Sequence, residues 1–107
     1  MELSAAQQER YARHLILDQF GGEGQERLLA ASVHVRGDGV AAHWAARYLA
    51  ASGVGQLAID VPAWREELQQ LGPWLAFVDR AELEIAPAGS AIDGAMAAVE
   101  MVRKIIR

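Results

Sequence analysis

Residues 32–60, which read SVHVRGDGVAAHWAARYLAASGVGQLAID, decide the fold of this 107-residue chain. In residues 32–36, valines alternate with polar side chains before a glycine, and this period of two predicts a strand. The alanine-rich residues 40–51 predict a helix that stops at Gly53, and residues 56–60 predict a second strand. A strand, a glycine turn, a helix and a strand in this order form a βαβ unit, whose strands are parallel.

The residues before this unit predict two helices. Residues 3–16 have apolar side chains near helical spacing, after a capping-box pattern at Ser4 and Gln7. Glycines then interrupt the chain, and residues 25–30 predict a second, short helix that presents Leu28 and Leu29.

The residues after the unit continue the alternation of helices and strands. Residues 62–71 predict a helix with a proline in its first turn, and residues 74–79 predict a third strand. Residues 83–86 fit either a fourth strand or extended chain. A closing helix is predicted over residues 91–106, with a core stripe of Ile92, Met96, Val99, Val102 and Ile106.

These elements predict an α/β, minimal Rossmann-like fold in a single domain of residues 1–107. It has two or three layers, three to four mostly parallel strands, N-terminal helices and a C-terminal helix. Polar residues interrupt the strands at alternate positions, whereas strands buried on both faces are apolar runs. We therefore expect helices mainly on one face of the sheet. The other face is then solvated, covered by the first helices, or turned toward a second subunit.

Composition excludes several classes of function. Hydrophobic residues make up 52% of the chain and charged residues 22%, which is typical of a packed globule. A net charge of -4 offers no basic footprint for nucleic acid, and the absence of cysteine excludes disulfides and thiolate metal sites. No apolar run approaches the roughly 20 residues of a membrane span, and the first residues lack a signal-peptide pattern. These features predict a cytoplasmic protein with neither a nucleic-acid nor a membrane partner.

Several segments resemble one family. They are ERYARH in residues 9–14, GGEGQERL in residues 21–28, ASGVGQL in residues 51–57 and GAMAAVEMVRKII in residues 94–106. Together with the glycine turn, they resemble the ThiF/MoeB/HesA family, which are bacterial relatives of the ubiquitin-activating enzymes. The part between residue 60 and the closing helix is much shorter than in a full family member.

The resemblance implies a Rossmann-like homodimer that uses ATP and magnesium to adenylate the C-terminal glycine of a ubiquitin-like sulfur-carrier protein. By the same resemblance, Arg13 matches an arginine finger that reaches the ATP of the partner subunit. Gly37 and Gly39 match the first two glycines of the nucleotide turn. The acidic residue for the ribose falls at Val61, or at Asp60 after a one-residue slip.

The chain departs from the family pattern at the nucleotide turn. Val40 and Ala42 replace its third and fourth glycines, His43 replaces a serine, and Asp38 adds a negative charge where phosphate would lie. No counterpart is found for the family's asparagine, arginine and lysine, and Asp79 is a weak candidate for the metal-binding aspartate.

These departures favour a degenerate, non-catalytic member of the family. Such a protein would act as a dimeric scaffold or binding partner for a ubiquitin-like or sulfur-carrier protein, or for a full-length relative. Two alternatives stay open: an ATP-dependent activating enzyme or nucleotide sensor that uses Gly37, Gly39, Asp60 and Arg13, and a decayed fragment that still folds. Because the rest of the ATP site is missing, the favoured interpretation of Arg13 is a helix residue that pairs with Glu9.

The remaining candidate residues favour structural roles. The three histidines have no shared metal-ligand spacing, which indicates surface or packing positions, and no metal site is predicted. The three tryptophans are expected to be core or interface anchors. The acidic pairs 66–67 and 82/84 are expected to be solvated.

Overall fold

The computed structural model describes residues 23–107. Its sheet has four parallel strands in the order β3-β2-β1-β4. The strands are β1 Ser32–Val35, β2 Gln56–Ile59, β3 Ala76–Phe77 and β4 Leu83–Ile85. The helices are α1, which includes residues 23–30, α2 Val40–Ser52, α3 Arg65–Leu71 and α4 Ala91–Ile106, and a 3-10 turn Pro62–Trp64 leads into α3. The predicted α/β, Rossmann-like class is confirmed.

The boundaries differ most at the third strand. Residues 74–79 were expected to be extended, but Leu75 donates its N–H to the Gly72 carbonyl in a turn, and β3 covers two residues. The open choice at residues 83–86 is decided in favour of a strand, which pairs with β1. The helix predicted for residues 3–16 lies outside the described residues.

The two faces of the sheet differ in polarity. Val33 lies opposite Leu57 and Leu83, whereas its neighbour His34 lies opposite Ala58 and Glu84. Helices α2 and α3 lie in two crossover connections that advance in the same direction along the sheet, and such connections share one hand, which places both helices on one face. Helix α4 packs on α2. All three helices therefore cover the apolar face, as expected, and the core lies between them and the strands.

The core stripe predicted for α4 is wrong at its first two positions. Ile92 and Met96 are 73% and 57% exposed. The buried residues of this helix are instead Gly94, Ala98, Met101 and Val102. A Cβ on Gly94 would overlap the Ala41 carbonyl, so α4 approaches α2 along its small residues. This close approach turns the larger Ile92 and Met96 away from the core.

The helix ends also follow from the sequence. Gly53 ends α2 with a φ of 105°, in the left-handed region that favours glycine. Ser90 begins α4 with a reciprocal capping box, in which its hydroxyl accepts the Asp93 N–H and the Asp93 carboxylate accepts the Ser90 N–H. Among residues 23–107, no helix is long and apolar enough to cross a membrane.

Candidate functional site at the carboxyl edge of the sheet

The carboxyl ends of β1 and β2 meet at the glycine turn. Gly37 has a φ of 112°, and its N–H donates a hydrogen bond of 2.8 Å to Asp60 Oδ2. The other carboxylate oxygen, Oδ1, lies 2.8 Å from His34 Nε2. The structure thus brings together Gly37 and Asp60, two of the three residues that the sequence predicted for nucleotide binding. Asp60 directly follows β2 rather than belonging to it.

The carboxylate of Asp60 is stabilised in its charged form. The Gly37 N–H, followed by the His34 imidazole, holds the pKa of the Asp60 carboxyl below its usual range. Because both oxygens already have protein partners, this carboxylate first of all holds the turn in place.

An ion pair also lies on this polar side of the sheet. Arg36 Nη1 lies 2.7 Å from Glu84 Oε1, and this contact joins the end of β1 to β4. The hydrogen bond and charge of Glu84 raise the pKa of Arg36. Glu84 was expected to be only solvated. The sequence does contain a signal for this role. Arg36, directly after β1, and Glu84, in β4, are both at polar positions of an alternating pattern.

The N-terminus of α2 faces solvent next to this turn. Its N-cap, Gly39, has a φ of −85°, provides no side-chain cap, and would have no protein atom within 4 Å of an added Cβ. Uncapped N–H groups at a helix start attract anions. Asp38 and Val40, which flank Gly39, are both exposed, so a carboxylate and a branched apolar side chain lie at the same place.

At this edge of the sheet the backbone favours the binding of ATP, whereas the side chains disfavour it. The open position at Gly39 fits the close approach of a phosphate. The negative charge of Asp38 opposes one, and the Asp60 carboxylate is already hydrogen bonded. As ligands for a nucleotide, Gly37, Gly39 and Asp60 stay a prediction.

A further polar cluster joins α2 to α3, and the sequence did not indicate it. His43 Nε2 lies 3.1 Å from both carboxylate oxygens of Glu67, and Arg47 Nη1 lies 3.0 Å from Glu67 Oε1. The His43 ring stacks on Trp64, with ring centroids 4.5 Å apart. Glu67 was expected to be solvated. The sequence did not reveal its partners because they lie on a different helix, α2, and local sequence patterns do not show contacts between helices.

The other candidate residues lie apart from the turn. Arg13 and His14 lie outside the described residues, so the arginine-finger prediction is not tested. Asp79 is exposed beyond β3, and residues 23–107 hold no group of three histidine, aspartate or glutamate side chains that could bind a metal. The tryptophans were expected to be core or interface anchors. Trp44 and Trp74 are 43% and 51% exposed, so neither is a core residue, and their role as interface anchors stays a prediction.

Comparison with known proteins gives partial but strong similarity. A SAMP-activating enzyme E1 of Haloferax volcanii is 49% identical over 72 residues, which are 65% of this chain and 27% of that protein. An adenylyltransferase and sulfurtransferase MOCS3 of Oryza sativa subsp. japonica is 52% identical over 62 residues, 58% of this chain and 14% of that protein. The vegetative HesA protein of Trichormus variabilis is 46% identical over 59 residues, 55% of this chain and 22% of that protein.

The resemblance to the ThiF/MoeB/HesA family is confirmed. The chain matches 27% or less of the length of these three relatives. No family model matches the chain.

The segments that resemble the ThiF/MoeB/HesA family have clear packing roles. In residues 51–57, Gly53 ends α2, and a Cβ on Gly55 would overlap the Leu29 carbonyl of α1. In residues 94–106, Gly94 admits the backbone of α2. Of the two leucines that α1 presents, Leu28 is fully buried, whereas Leu29 is exposed. The matched glycines therefore fix how α1, α2 and α4 meet.

Proposed function

We propose that this chain is a non-catalytic ThiF/MoeB-type protein that acts as a dimeric binding partner of a ubiquitin-like or sulfur-carrier protein. A full-length relative is the second partner of this kind. The proposal takes its partner class from the family, whose relatives here carry names such as SAMP-activating enzyme and adenylyltransferase and sulfurtransferase. A single domain and a cytoplasmic location stay predictions of the sequence.

The observation that carries the proposal is the contact between Asp60 and Gly37. A carboxylate that binds ribose accepts hydrogen bonds from its hydroxyl groups, whereas Asp60 already gives one acceptor site on Oδ2 to the Gly37 N–H and has Oδ1 beside His34, which leaves fewer of its roughly four acceptor sites for a ligand. The exposed Asp38 adds a repulsive charge beside the start of α2. These side chains stabilise the turn and disfavour a triphosphate, which supports a protein that keeps the scaffold without the adenylation chemistry.

The test is calorimetric titration of the full chain with ATP and magnesium. We expect no detectable heat up to about millimolar ATP, which corresponds to binding weaker than about −4 kcal/mol. The matched variant, Asp38→Ala with Val40→Gly, removes the negative charge from the turn and restores the third glycine of the family pattern, and it should bind ATP more tightly than the natural chain. A micromolar Kd in the natural chain that weakens in Arg13→Ala would support the alternative, an ATP-dependent activating enzyme or nucleotide sensor, and overturn the proposal.

Partner binding needs its own measurement. The probe is a purified ubiquitin-like sulfur-carrier protein ending in Gly-Gly, from the same host, titrated into the chain without ATP. We expect saturable binding without ATP and no release of pyrophosphate when ATP is added. Absence of binding both to this carrier and to a full-length relative would contradict the partner assignment.

A further inference from the structure

A groove runs between the edge strand β4 and helix α4. Strand β4 is the last in the sheet order, so within residues 23–107 one of its edges has no neighbouring strand. Beside this edge, a cavity of about 270 Å³ is lined by two residues of β4, Glu84 and Ile85, and by four of α4, Ala97, Glu100, Met101 and Lys104. We call it the β4/α4 groove. The spacing of the four α4 residues places them on one stripe of the helix, which faces the strand.

The backbone of β4 can accept a further strand. The Ile85 carbonyl accepts the Arg36 N–H at 2.9 Å, so the backbone groups of Ile85 are directed toward β1. Successive residues of a strand direct their N–H and C=O groups to opposite sides, and those of Glu84 therefore point away from β1. An edge with unpaired backbone groups is a template for strand addition.

The groove beside this edge has an apolar floor. Ile85 and Ala97 are half-buried, and Met101 is buried. A strand added to β4 would place every second side chain on the side of α4, because side chains alternate between the two faces of a sheet. Those side chains would contact the apolar floor, so the groove can select them as well as the extended backbone.

One end of the groove is positively charged. Glu100 and Lys104 also line a wider cavity of about 420 Å³ together with Arg103 and Arg107, so the groove continues to the end of α4. Within residues 23–107, Arg103, Lys104 and Arg107 form no ion pair with a side-chain carboxylate. Three cations and one carboxylate therefore surround this end, which favours an anionic ligand.

We propose that the β4/α4 groove binds an extended acidic peptide of another protein by strand addition. The peptide backbone pairs with the N–H and C=O groups of Glu84. Its apolar side chains contact Ile85, Ala97 and Met101, and its acidic residues lie beside Lys104. The inference goes beyond the proposed function and does not rest on it, because neither ATP nor a sulfur carrier enters it.

Two segments from this protein itself are poorer occupants. Residues 3–16 are predicted to be a helix, which uses its backbone N–H and C=O groups internally and cannot add a strand. A second copy could pair β4 with β4 about the centre of the strand. Glu84 would then lie opposite its own copy, and like charges directly opposite each other are destabilising.

The other edge of the sheet is less suited to strand addition. Strand β3 has only two residues, and the guanidinium of Arg65 lies over the Phe77 ring at 5.5 Å. This edge therefore offers a shorter template, with a side chain of α3 across it.

The test is fluorescence anisotropy of labelled peptides titrated with the full chain. In the acidic peptide, three valines alternate with two threonines and three glutamates follow; a second acidic peptide has the same residues in reverse order. In the basic peptide, lysines replace the glutamates. We expect at least one acidic peptide to bind saturably with a Kd of about 100 μM or below, and the basic peptide to bind at least about tenfold more weakly.

A pair of variants at Glu84 tests strand addition. Glu84→Pro removes the outward N–H, which takes no part in the bonds to β1, and it should raise the Kd by about tenfold or more. Glu84→Thr removes the same carboxylate but keeps the N–H, and it should bind like the natural chain. Circular dichroism and thermal unfolding show whether both variants are folded.

A second pair of variants tests the charge and does not depend on the fold of Glu84→Pro. Lys104→Glu should raise the Kd for the acidic peptide by about fivefold or more. Arg65→Glu makes the same change of charge at the opposite edge of the sheet and should have little effect at about 0.15 M salt.

Three results would overturn the proposal. They are no saturable binding of either acidic peptide, equal binding of the basic peptide, and unchanged binding in a folded Glu84→Pro or Lys104→Glu variant. The first would also be seen if residues 1–22 or a second copy filled the groove. ATP and carrier titrations do not enter these results, so failure of the proposed function would be seen separately.

Discussion

The N–H of Gly37 donates a hydrogen bond of 2.8 Å to the carboxylate of Asp60, and this contact joins the ends of two neighbouring strands. Gly37 has a φ of 112°, a conformation that other residues adopt only with strain. The carboxylate therefore stabilises a turn that glycine makes possible. In a fold whose ligands bind at the carboxyl edge of the sheet, an acidic residue used in this way becomes part of the scaffold.

Asp60→Asn should reduce stability in a pH-dependent manner. The pKa of Asp60 is lower in the folded protein than in the unfolded chain, because Gly37 and His34 stabilise the carboxylate. Its contribution is fully present above the ordinary aspartate pKa, about 3.9, and is lost as pH falls through the lower folded value. Urea denaturation from about pH 2 to 7 should show a larger free energy of unfolding for the natural chain than for the variant at neutral pH. The two values should converge in acid.

Asp79→Asn is the control for Asp60, since it removes an equal charge from the exposed end of β3. It should leave the neutral-pH stability close to that of the natural chain. A stability difference between Asp60→Asn and the natural chain that is independent of pH would show that the carboxylate charge does not hold the turn.

Gly94→Ala should destabilise the protein by about 1–3 kcal/mol, because the new methyl group meets the backbone of Ala41 and forces α2 and α4 apart. Gly39→Ser is its counterpart at an open position. Serine caps a helix slightly better than glycine, so this variant should gain a few tenths of a kcal/mol. Chemical denaturation of the three proteins measures both effects, and equal stabilities of Gly94→Ala and the natural chain would contradict the packing.

The contrast between these two glycines shows how far the sequence predicts the fold. The βαβ unit and the helix ends follow from local signals, namely alternating valines, an alanine-rich segment and glycines at turns. The buried stripe of α4 could not be predicted from such signals, because hydrophobicity alone places Ile92 and Met96 in the core. The packing of α4 on α2 instead buries the small residues Gly94 and Ala98. Only the position of α2 decides which of these two sets of residues is buried.

The candidate site shows the same division. The meeting of Gly37 and Asp60 was predictable in outline, because both follow parallel strands that end at one edge. The role of Asp60 was not predictable. Its contacts with His34 and the Gly37 N–H depend on the register of β1 and β2 and on the conformation of the turn, which the sequence does not show. The contact between His43 and Glu67 spans two helices, and no periodicity within either helix indicates it.

Ser90→Ala should lower stability by about 1 kcal/mol, because the first turn of α4 loses the hydroxyl that accepts the Asp93 N–H. The loss should be visible in thermal unfolding followed by circular dichroism. Ser90→Thr retains the hydroxyl and should recover most of the stability. If threonine and alanine were equally destabilising, the cap hydrogen bond would not be the cause.

The cluster of His43, Arg47 and Glu67 leads to a test of how α3 is attached. Glu67→Gln keeps the shape of the side chain but removes its charge, and we expect a loss of about 0.5–1 kcal/mol because the contacts are partly exposed. In a double-mutant cycle with His43→Gln, the losses should not add, since each change removes the same contact. Glu66→Gln, at the neighbouring position in the first turn of α3, is the matched control. Additive losses would show that Glu67 stabilises α3 independently of His43, through Arg47 or through its position near the helix N-terminus.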